Sequence, residues 1–373
     1  MIFGVRGGKL LFHRIISSVL LFISLTFSQR VTIMSYNVDN LFDDVSNGTE
    51  YKRYNPANGS WDREKYLAKL RNIARVIIDS SRRAPDIVAL QEVENRNALE
   101  TLNSMYLNKL GYRYVAIVPK EGIATNVAVL SRYPIKSVHS YYVGNWDDRP
   151  LRDILEVDID IGGLTLYLFN NHWKSKNGGV RKTEIARLRA ASVLLERVRA
   201  IYNKNPHADI VVVGDLNEDF DEYVRIRGRY QTALIPLEGK WFEGENLVRR
   251  EALRRYLENE SSLFLIGKIP ESGNFSNVST VFYEPWFEYL KREGNYNFGS
   301  YVYRGRWETP DHILLFPTLF DGMGLEYRGG NFHVIKASFM LTGRGYPARW
   351  YCRGSKCRGY SDHLPVIVTI YRR

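Results

Sequence analysis

The sequence predicts an α/β (α+β) sandwich. Short runs of strand character recur along the whole chain, helical periodicities separate some of them, and no internal repeat or low-complexity linker breaks the series. The strand-like runs fall at 31–37, 86–90, 112–118, 126–131, 154–159, 164–170, 209–213, 312–316 and 366–371. Ser60 or Asp62 stands where an N-cap is needed, ahead of a stripe of Tyr66, Leu70, Ile73 and Ile77. Residues 95–109 predict a second helix. Residues 182–203 predict a third, with Ile185, Leu188, Leu195, Val198 and Tyr202 at helical spacing on its core face.

The 373 residues, 45% hydrophobic and 25% charged, have the composition of a soluble globular protein with a sizeable core. Residues 1–28 are set apart. Arg6, Lys9 and Arg14 precede an apolar stretch at 15–27, and Thr26 and Ser28 are small residues before a cut ahead of Gln29. This predicts a secretory signal peptide, with an uncleaved anchor as the alternative. The lack of a cysteine near the cut argues against a lipoprotein. Losing the segment lowers the formal charge from +11 to +8, which still favours an anionic partner over a neutral one. The only cysteines are Cys352 and Cys357. In an exported chain their spacing allows a small disulfide loop; two free thiols are the alternative, and a zinc site lacks ligands.

Polar clusters end the strand-like runs: Ser35-Tyr36-Asn37-Val38-Asp39, Leu90-Gln91-Glu92-Val93-Glu94, Asn170-Asn171-His172-Trp173-Lys174, Gly214-Asp215-Leu216-Asn217 and Tyr360-Ser361-Asp362-His363-Leu364-Pro365. Scattered Asp, Glu and Asn at strand ends suit Mg²⁺, which prefers oxygen ligands and keeps several waters. Such an ion offsets the charge of a phosphodiester under attack by water.

In this order the clusters resemble the endonuclease/exonuclease/phosphatase superfamily, which includes deoxyribonuclease I, exonuclease III and the neutral sphingomyelinases. The wording of 35–43, 86–96 and 170–176 is most similar to its bacterial secreted or periplasmic type. The resemblance implies two packed mixed β-sheets flanked by helices, in one domain over 29–373, with the site at one rim. Between Asp215 and Asp311 lie 95 residues, read as containing an insertion at about 220–300. There Trp241, Phe242, Phe282, Tyr283, Trp286, Phe287 and Tyr289 stand near Arg249, Arg250, Arg254 and Arg255. Aromatics among arginines suit base stacking, or else form an apolar subdomain.

The resemblance also implies roles. Glu92 is the principal Mg²⁺ ligand, joined by Asn37, Asp39 and Asp362; Mn²⁺ or Ca²⁺ substitutes or assists. His172 contacts the scissile phosphate, Asp215 orients or deprotonates water, and Asn217 holds a phosphoryl oxygen. His363 is the general base or charge stabiliser, oriented by Asp311 of the Asp311-His312-Ile313-Leu314 run. Asn126, Asn171, Lys174 and Arg152 bind substrate, with Arg149 competing for the place of Arg152. A carboxylate partner for His172 in the 120–130 region is missing, Glu121 being poorly placed.

The function these residues imply is an exported, Mg²⁺-dependent nuclease acting on DNA, and on RNA as an extension, working as a monomer in the periplasm or outside the cell. A sphingomyelinase or small-molecule phosphoesterase of the same fold is the alternative, with 282–289 as its membrane-contacting aromatics. An inactive binding protein is a third reading, against which the complete residue set argues. Export argues against a role in chromosomal DNA repair.

Overall fold

The computed structural model describes residues 1, 29–80, 83–237, 261–268 and 278–373. The signal segment and the arginine cluster at 249–255 lie outside the described residues. No helix among those residues is long and apolar enough to cross a membrane.

The chain begins with β1 (Arg30–Leu41), α1 (Arg63–Asp79), β2 (Ile87–Val93), α2 (Arg96–Leu102), β3 (Tyr114–Ile117), β4 (Asn126–Ser131) and β5 (Ile135–Tyr141). A small hairpin of β6 (Asn145–Trp146) and β7 (Arg149–Pro150) leads to β8 (Ile154–Ile161), β9 (Leu164–His172), α3 (Val180–Lys204) and β10 (Asp209–Asp215). Then come α4 (Glu222–Arg225), β11 (Leu234–Pro236), β12 (Leu263–Ile266), β13 (Val281–Tyr283) and α5 (Trp286–Glu293). The hairpin of β14 (Tyr301–Tyr303) and β15 (Arg306–Glu308) precedes β16 (Asp311–Leu315) and β17 (Leu325–Val334). A last hairpin, β18 (Tyr351–Arg353) and β19 (Lys356–Arg358), precedes β20 (Val366–Arg372).

Two sheets form the sandwich, in the orders β17-β20-β1-β2-β4-β3 and β11-β12-β13-β16-β10-β9-β8-β5. In the middle, β1 runs parallel to β2, and β9 parallel to β10. These strands are covered on both faces, so they are apolar nearly throughout; Val31, Ile33, Leu90, Leu168, Val211 and Val213 are fully buried. Strands β1 and β2 face β9 and β10 across the sandwich. Polar side chains also cross that interface. The Gln91 amide donates to Asn170 Oδ1 at 2.8 Å, and the Asn170 amide donates to the carbonyls of Leu90 and Ala128 at 3.1 and 2.9 Å. Each donor is satisfied, so the polar pair fixes the register between sheets.

Asp62 caps α1 by accepting the Lys65 N–H, and the stripe Tyr66, Leu70, Ile73 and Ile77 is buried. The second helix stops at Leu102, giving way to a π turn and a 3₁₀ turn that end at Leu110. The third helix runs as read, with Leu195 and Val198 buried and Leu188 and Tyr202 packed against the core, but its first turn departs. Ile185 is 63% exposed, while Glu184 and Arg187 are buried. A buried ion pair explains this: Arg187 bonds Glu184 and approaches Glu218 at 3.3 Å.

The described part of 220–300 is built into the sandwich. Strands β11, β12 and β13 continue the larger sheet, and Phe282, Trp286 and Tyr289 are buried in the main core. Pairing between β13 and β16 is confined to Tyr283 opposite Leu315. A buried ion pair supplements it. His312 Nδ1 lies 2.6 Å from a Glu284 oxygen and Nε2 lies 2.9 Å from the Glu218 carbonyl. Burial opposes charge on His312, but the Glu284 carboxylate and the carbonyl outweigh it and raise its pKa above the ordinary 6.5.

The stabilisation from a raised histidine is complete below its unfolded value of about 6.5 and is lost as pH rises through the folded value. Glu284→Gln is expected to lower unfolding free energy by about 3 kcal/mol at pH 6. Urea denaturation should show that deficit shrinking above neutrality. An equal deficit at pH 6 and pH 9 would show that His312 is not the charged partner.

Candidate active site

Three short turns aim the site residues, and all use one device. The Asn37 side chain accepts the Asp39 N–H at 3.0 Å, Asp215 accepts the Asn217 N–H at 2.9 Å, and the Ser361 hydroxyl accepts the His363 N–H at 3.0 Å. Each is a polar side chain caught by the backbone two residues on: this accompanies the register shift of β1 after Asn37, ends β10 at Asp215, and turns the segment ahead of β20 at Ser361. Asp39, Asn40 and Asn217 accordingly have positive φ, and Glu92 sits at φ 67° where β2 shifts register against β4. The strain falls at the site itself. Gly214 has φ 135°, and a Cβ there would lie 2.0 Å from the Asn171 carbonyl oxygen, so only glycine lets β10 close on β9 before Asp215.

The arrangement is centred on Asp215. Its Oδ2 accepts the Asn37 amide at 2.9 Å and stands 3.5 Å from His172 Nε2 and 3.8 Å from His363 Nε2. The other nitrogen of His363, Nδ1, bonds Asp311 Oδ2 at 2.7 Å, and the Ser300 hydroxyl donates to the same oxygen at 2.6 Å. His172 Nε2 is also 3.9 Å from Glu92, while its Nδ1 is buried without a partner. His172 therefore faces Glu92 and Asp215 rather than a carboxylate from 120–130.

Environment separates the two histidines. Burial, then the Arg152 and His363 charges, push His172 well below 6.5, so it is neutral. Burial opposes charge on His363 too, but Asp311, Asp215 and Asp362 outweigh it and hold the ring as imidazolium. Burial lifts Asp215 to about 6 against the opposing effect of His363. Burial also lifts Glu92 to about 7; Arg152 opposes, and Asp362 and Asp39 add to the rise. Neighbouring groups pushed apart in this way suit distinct acid, base and electrostatic roles.

A divalent cation fits one part of the cluster. Glu92, Asp39 and Asp362 line a cleft of about 750 Å³, with Asn217, His172 and His363 beside them. The Glu92 carboxylate has only a 3.4 Å contact from the Asn37 amide, and burial together with like charge disfavours its ionised form. Oxygen-only donors with unmet charge match Mg²⁺. Donor atoms of Asp215, Asp311 and His363 also lie within 4.8 Å of one another, but an ion there would have to displace the His363–Asp311 hydrogen bond. Asn37 is a brace rather than an obvious ligand: its amide serves Asp215 and Glu92, and its carbonyl is taken by the Asp39 N–H.

The four substrate-binding expectations do not meet the cleft. Asn171 is fully buried, donating to the Phe169 and Val213 carbonyls and accepting from Trp173 Nε1 at 3.0 Å; it joins β9 to β10. The Asn126 amide donates to the Glu94 carbonyl at 2.8 Å, and Lys120 N–H donates to its oxygen. Lys174 folds onto the Ser175 and Asn177 carbonyls and over the Trp146 ring. Arg152 donates to Thr125, and its charge acts on Glu92 and His172 from behind. Strand proximity put these residues near the site; their backbone partners turn them away from the cleft.

Other residues complete it. The Arg349 guanidinium is 3.3 Å from Asp39 and 3.5 Å from Asp362. Tyr301 lies against the His363 ring at 4.6 Å between centroids. Lys69 is fully buried; its ammonium donates to the Asp39 carbonyl at 2.9 Å and the Tyr360 carbonyl at 3.1 Å, tying two site segments together. Its signal was a lysine inside the apolar stripe of α1, three residues after Tyr66 and four before Ile73. Cys352 and Cys357 are bonded across the β18–β19 hairpin, next to the segment bearing Asp362 and His363.

His363→Ala is expected to lower kcat about a hundredfold or more. Asp311→Asn should cost less and move the alkaline limb of the pH profile to lower pH, because the imidazolium loses its main stabiliser. An unchanged alkaline limb would exclude Asp311 as the orienting group.

Residues 32–228 match the Endonuclease/Exonuclease/phosphatase family. No curated protein matches the chain. The fold is similar to that of TDP2 from C. elegans, with TM-score 0.51 and 16% identity over 92% of this chain and 75% of that one. Further likenesses are to beta toxin 275-280 from Staphylococcus aureus (TM-score 0.48, 16% identity, 92% and 100% covered) and to mannosyl-6-phosphatase Bt3783 from Bacteroides thetaiotaomicron (0.49, 14%, 91% and 99%). At these identities the likeness concerns the fold alone. With the family match spanning more than half of the sequence, the chain belongs to the endonuclease/exonuclease/phosphatase family of metal-dependent phosphoester hydrolases.

Proposed function

We propose that the protein is an exported, Mg²⁺-dependent nuclease that hydrolyses DNA, and RNA by the same chemistry, as a monomer. Asp215, lifted to about 6, takes the proton of the attacking water. The His363 imidazolium and the neutral His172 Nε2–H donate to the phosphoryl oxygens as negative charge grows there. Asn217 lies beside Asp215 in the same cleft; its amide donates one N–H to the Trp173 carbonyl at 3.1 Å and has a second for a third phosphoryl oxygen. Glu92, Asp39 and Asp362 would hold a divalent cation, which would supply Lewis-acid neutralisation of the phosphate.

One observation favours a polymeric substrate over a small one. The catalytic cleft continues into a second groove of about 550 Å³, and the two share Tyr301, Arg349 and Asp362. A path that runs on past the reacting centre suits a chain more than a compact ester. The lipid alternative has less support, since among the 282–289 aromatics Phe282, Tyr283, Trp286 and Tyr289 are buried and Phe287 is only partly exposed. Export is supported by the N-terminal segment and by the Cys352–Cys357 bond, which fits an oxidising compartment.

A polyanion releases counterions when it binds, so KM for plasmid DNA should rise roughly tenfold or more between 50 and 200 mM salt at fixed free Mg²⁺. The KM for bis(p-nitrophenyl) phosphate should hardly move. Equal, shallow dependences for both substrates, or turnover of sphingomyelin alone, would replace the nuclease by a small-molecule or lipid phosphoesterase.

A further inference from the structure

The cations expected around the site are already engaged. Lys174 lies over Trp146 and Arg181 over Tyr230. On one wall of the catalytic cleft, Lys176 is 2.6 Å from Glu222 and 3.5 Å from Asp219, and Arg225 bonds Asp219 and Asp221. That wall has no spare positive charge for a phosphate chain.

The other end differs. In the second groove, Arg344 lies at an exposed loop tip and has no hydrogen-bond or ion-pair partner among the described residues. Arg349 stands at the junction of cleft and groove, partly exposed. Asp362, at the reacting centre, is the only acidic group lining the groove. Aromatic faces accompany these arginines. Tyr301 lines both cavities, and Tyr346 lines the groove, set edge-on to Trp307 at 5.9 Å with its hydroxyl donating to the Gly305 carbonyl at 3.3 Å.

We infer that the groove lined by Arg344, Tyr346 and Arg349 is a subsite for single-stranded nucleic acid, holding the nucleotides on one side of the scissile phosphate. The inference rests on the nuclease reading and adds direction and strandedness to it. Arg344, unpaired, and Arg349, whose charge is shared with Asp39 and Asp362, stand beside aromatic rings in an order that meets alternating phosphates and bases, and stacking needs bases freed from a partner strand. A membrane surface is the less favoured occupant, because the loop tip here, Gly343-Arg344-Gly345, carries no apolar side chain.

The test uses the full mature chain and measures KM for single-stranded 12-mers and 4-mers, for a 12-base-pair duplex, and for bis(p-nitrophenyl) phosphate. Arg344→Ala should raise KM for the single-stranded 12-mer about fivefold or more, and that for the small diester not at all. Arg181→Ala, removing an equal charge outside the groove, should have little effect. Tyr346→Ala should weaken the 12-mer, and Tyr346→Phe, which keeps the ring and loses the Gly305 bond, should restore it. Oligonucleotide cleavage with equal losses from Arg344→Ala and Arg181→Ala would overturn the subsite while leaving the nuclease intact. So would equal losses on duplex and single strand, Tyr346→Phe as weak as Tyr346→Ala, or an Arg344→Ala defect seen only on anionic vesicles. Hydrolysis of the small diester with no cleavage of any nucleic acid would remove the nuclease reading and the subsite with it.

Discussion

Carboxylates repel one another and resist leaving water, yet this fold gathers Asp39, Glu92, Asp215, Asp311 and Asp362 at one rim of its sandwich. Burial and like charge lift Glu92 to about 7 and Asp215 to about 6 and raise Asp362. The cluster exists only because opposite charge is built around it. His363 answers Asp311 and Asp215, Arg349 answers Asp39 and Asp362, and the Lys69 ammonium lies beneath the segments that bear Asp39 and Asp362. Glu92 is left with the least compensation, and a cation is the natural complement there.

That demand explains much of the architecture. The acidic groups come from β1, β2, β10, β16 and the segment before β20, which belong to two different sheets. They converge only if the sheets keep a fixed register. The Gln91–Asn170 contacts and the Asn37–Asp215 bond supply polar links across the interface, and the apolar interior supplies the bulk of the cohesion. The turns at Asn37, Asp215 and Ser361 then redirect the backbone where each functional side chain is needed. Local turn chemistry, sheet packing and site electrostatics are thus one problem with a shared solution.

Much of this was legible in the sequence. Strand-like runs ending in polar clusters located β1, β2, β9, β10 and β20, and Asp62 marked the start of α1. The pairing of Asp311 with His363 was implied by the family resemblance of the Asp311-His312-Ile313-Leu314 run. Other features were hidden for physical reasons. Arg349 meets Asp39 across a separation of 310 residues, from a loop with no periodicity. Strands β11 to β13 are only three or four residues long, too short for an alternating pattern to reveal them. Asn126, Asn171 and Lys174 stand at the right strand ends, but polar side chains there can serve either the backbone or the cleft. Composition does not say which, and in this fold the backbone takes them.

The central claim is that the carboxylate cluster is completed by a divalent cation at Glu92. Thermal melting of the mature chain at pH 8, in EDTA and in saturating Mg²⁺, tests it without any substrate. Mg²⁺ is expected to raise the Tm of the wild-type protein by several degrees, since binding only to the native state stabilises it, and to leave the Tm of Glu92→Gln almost unmoved. In EDTA, Glu92→Gln should melt above the wild type, because one buried charge has gone. An identical Mg²⁺ shift in both proteins, or none in either, would contradict the account.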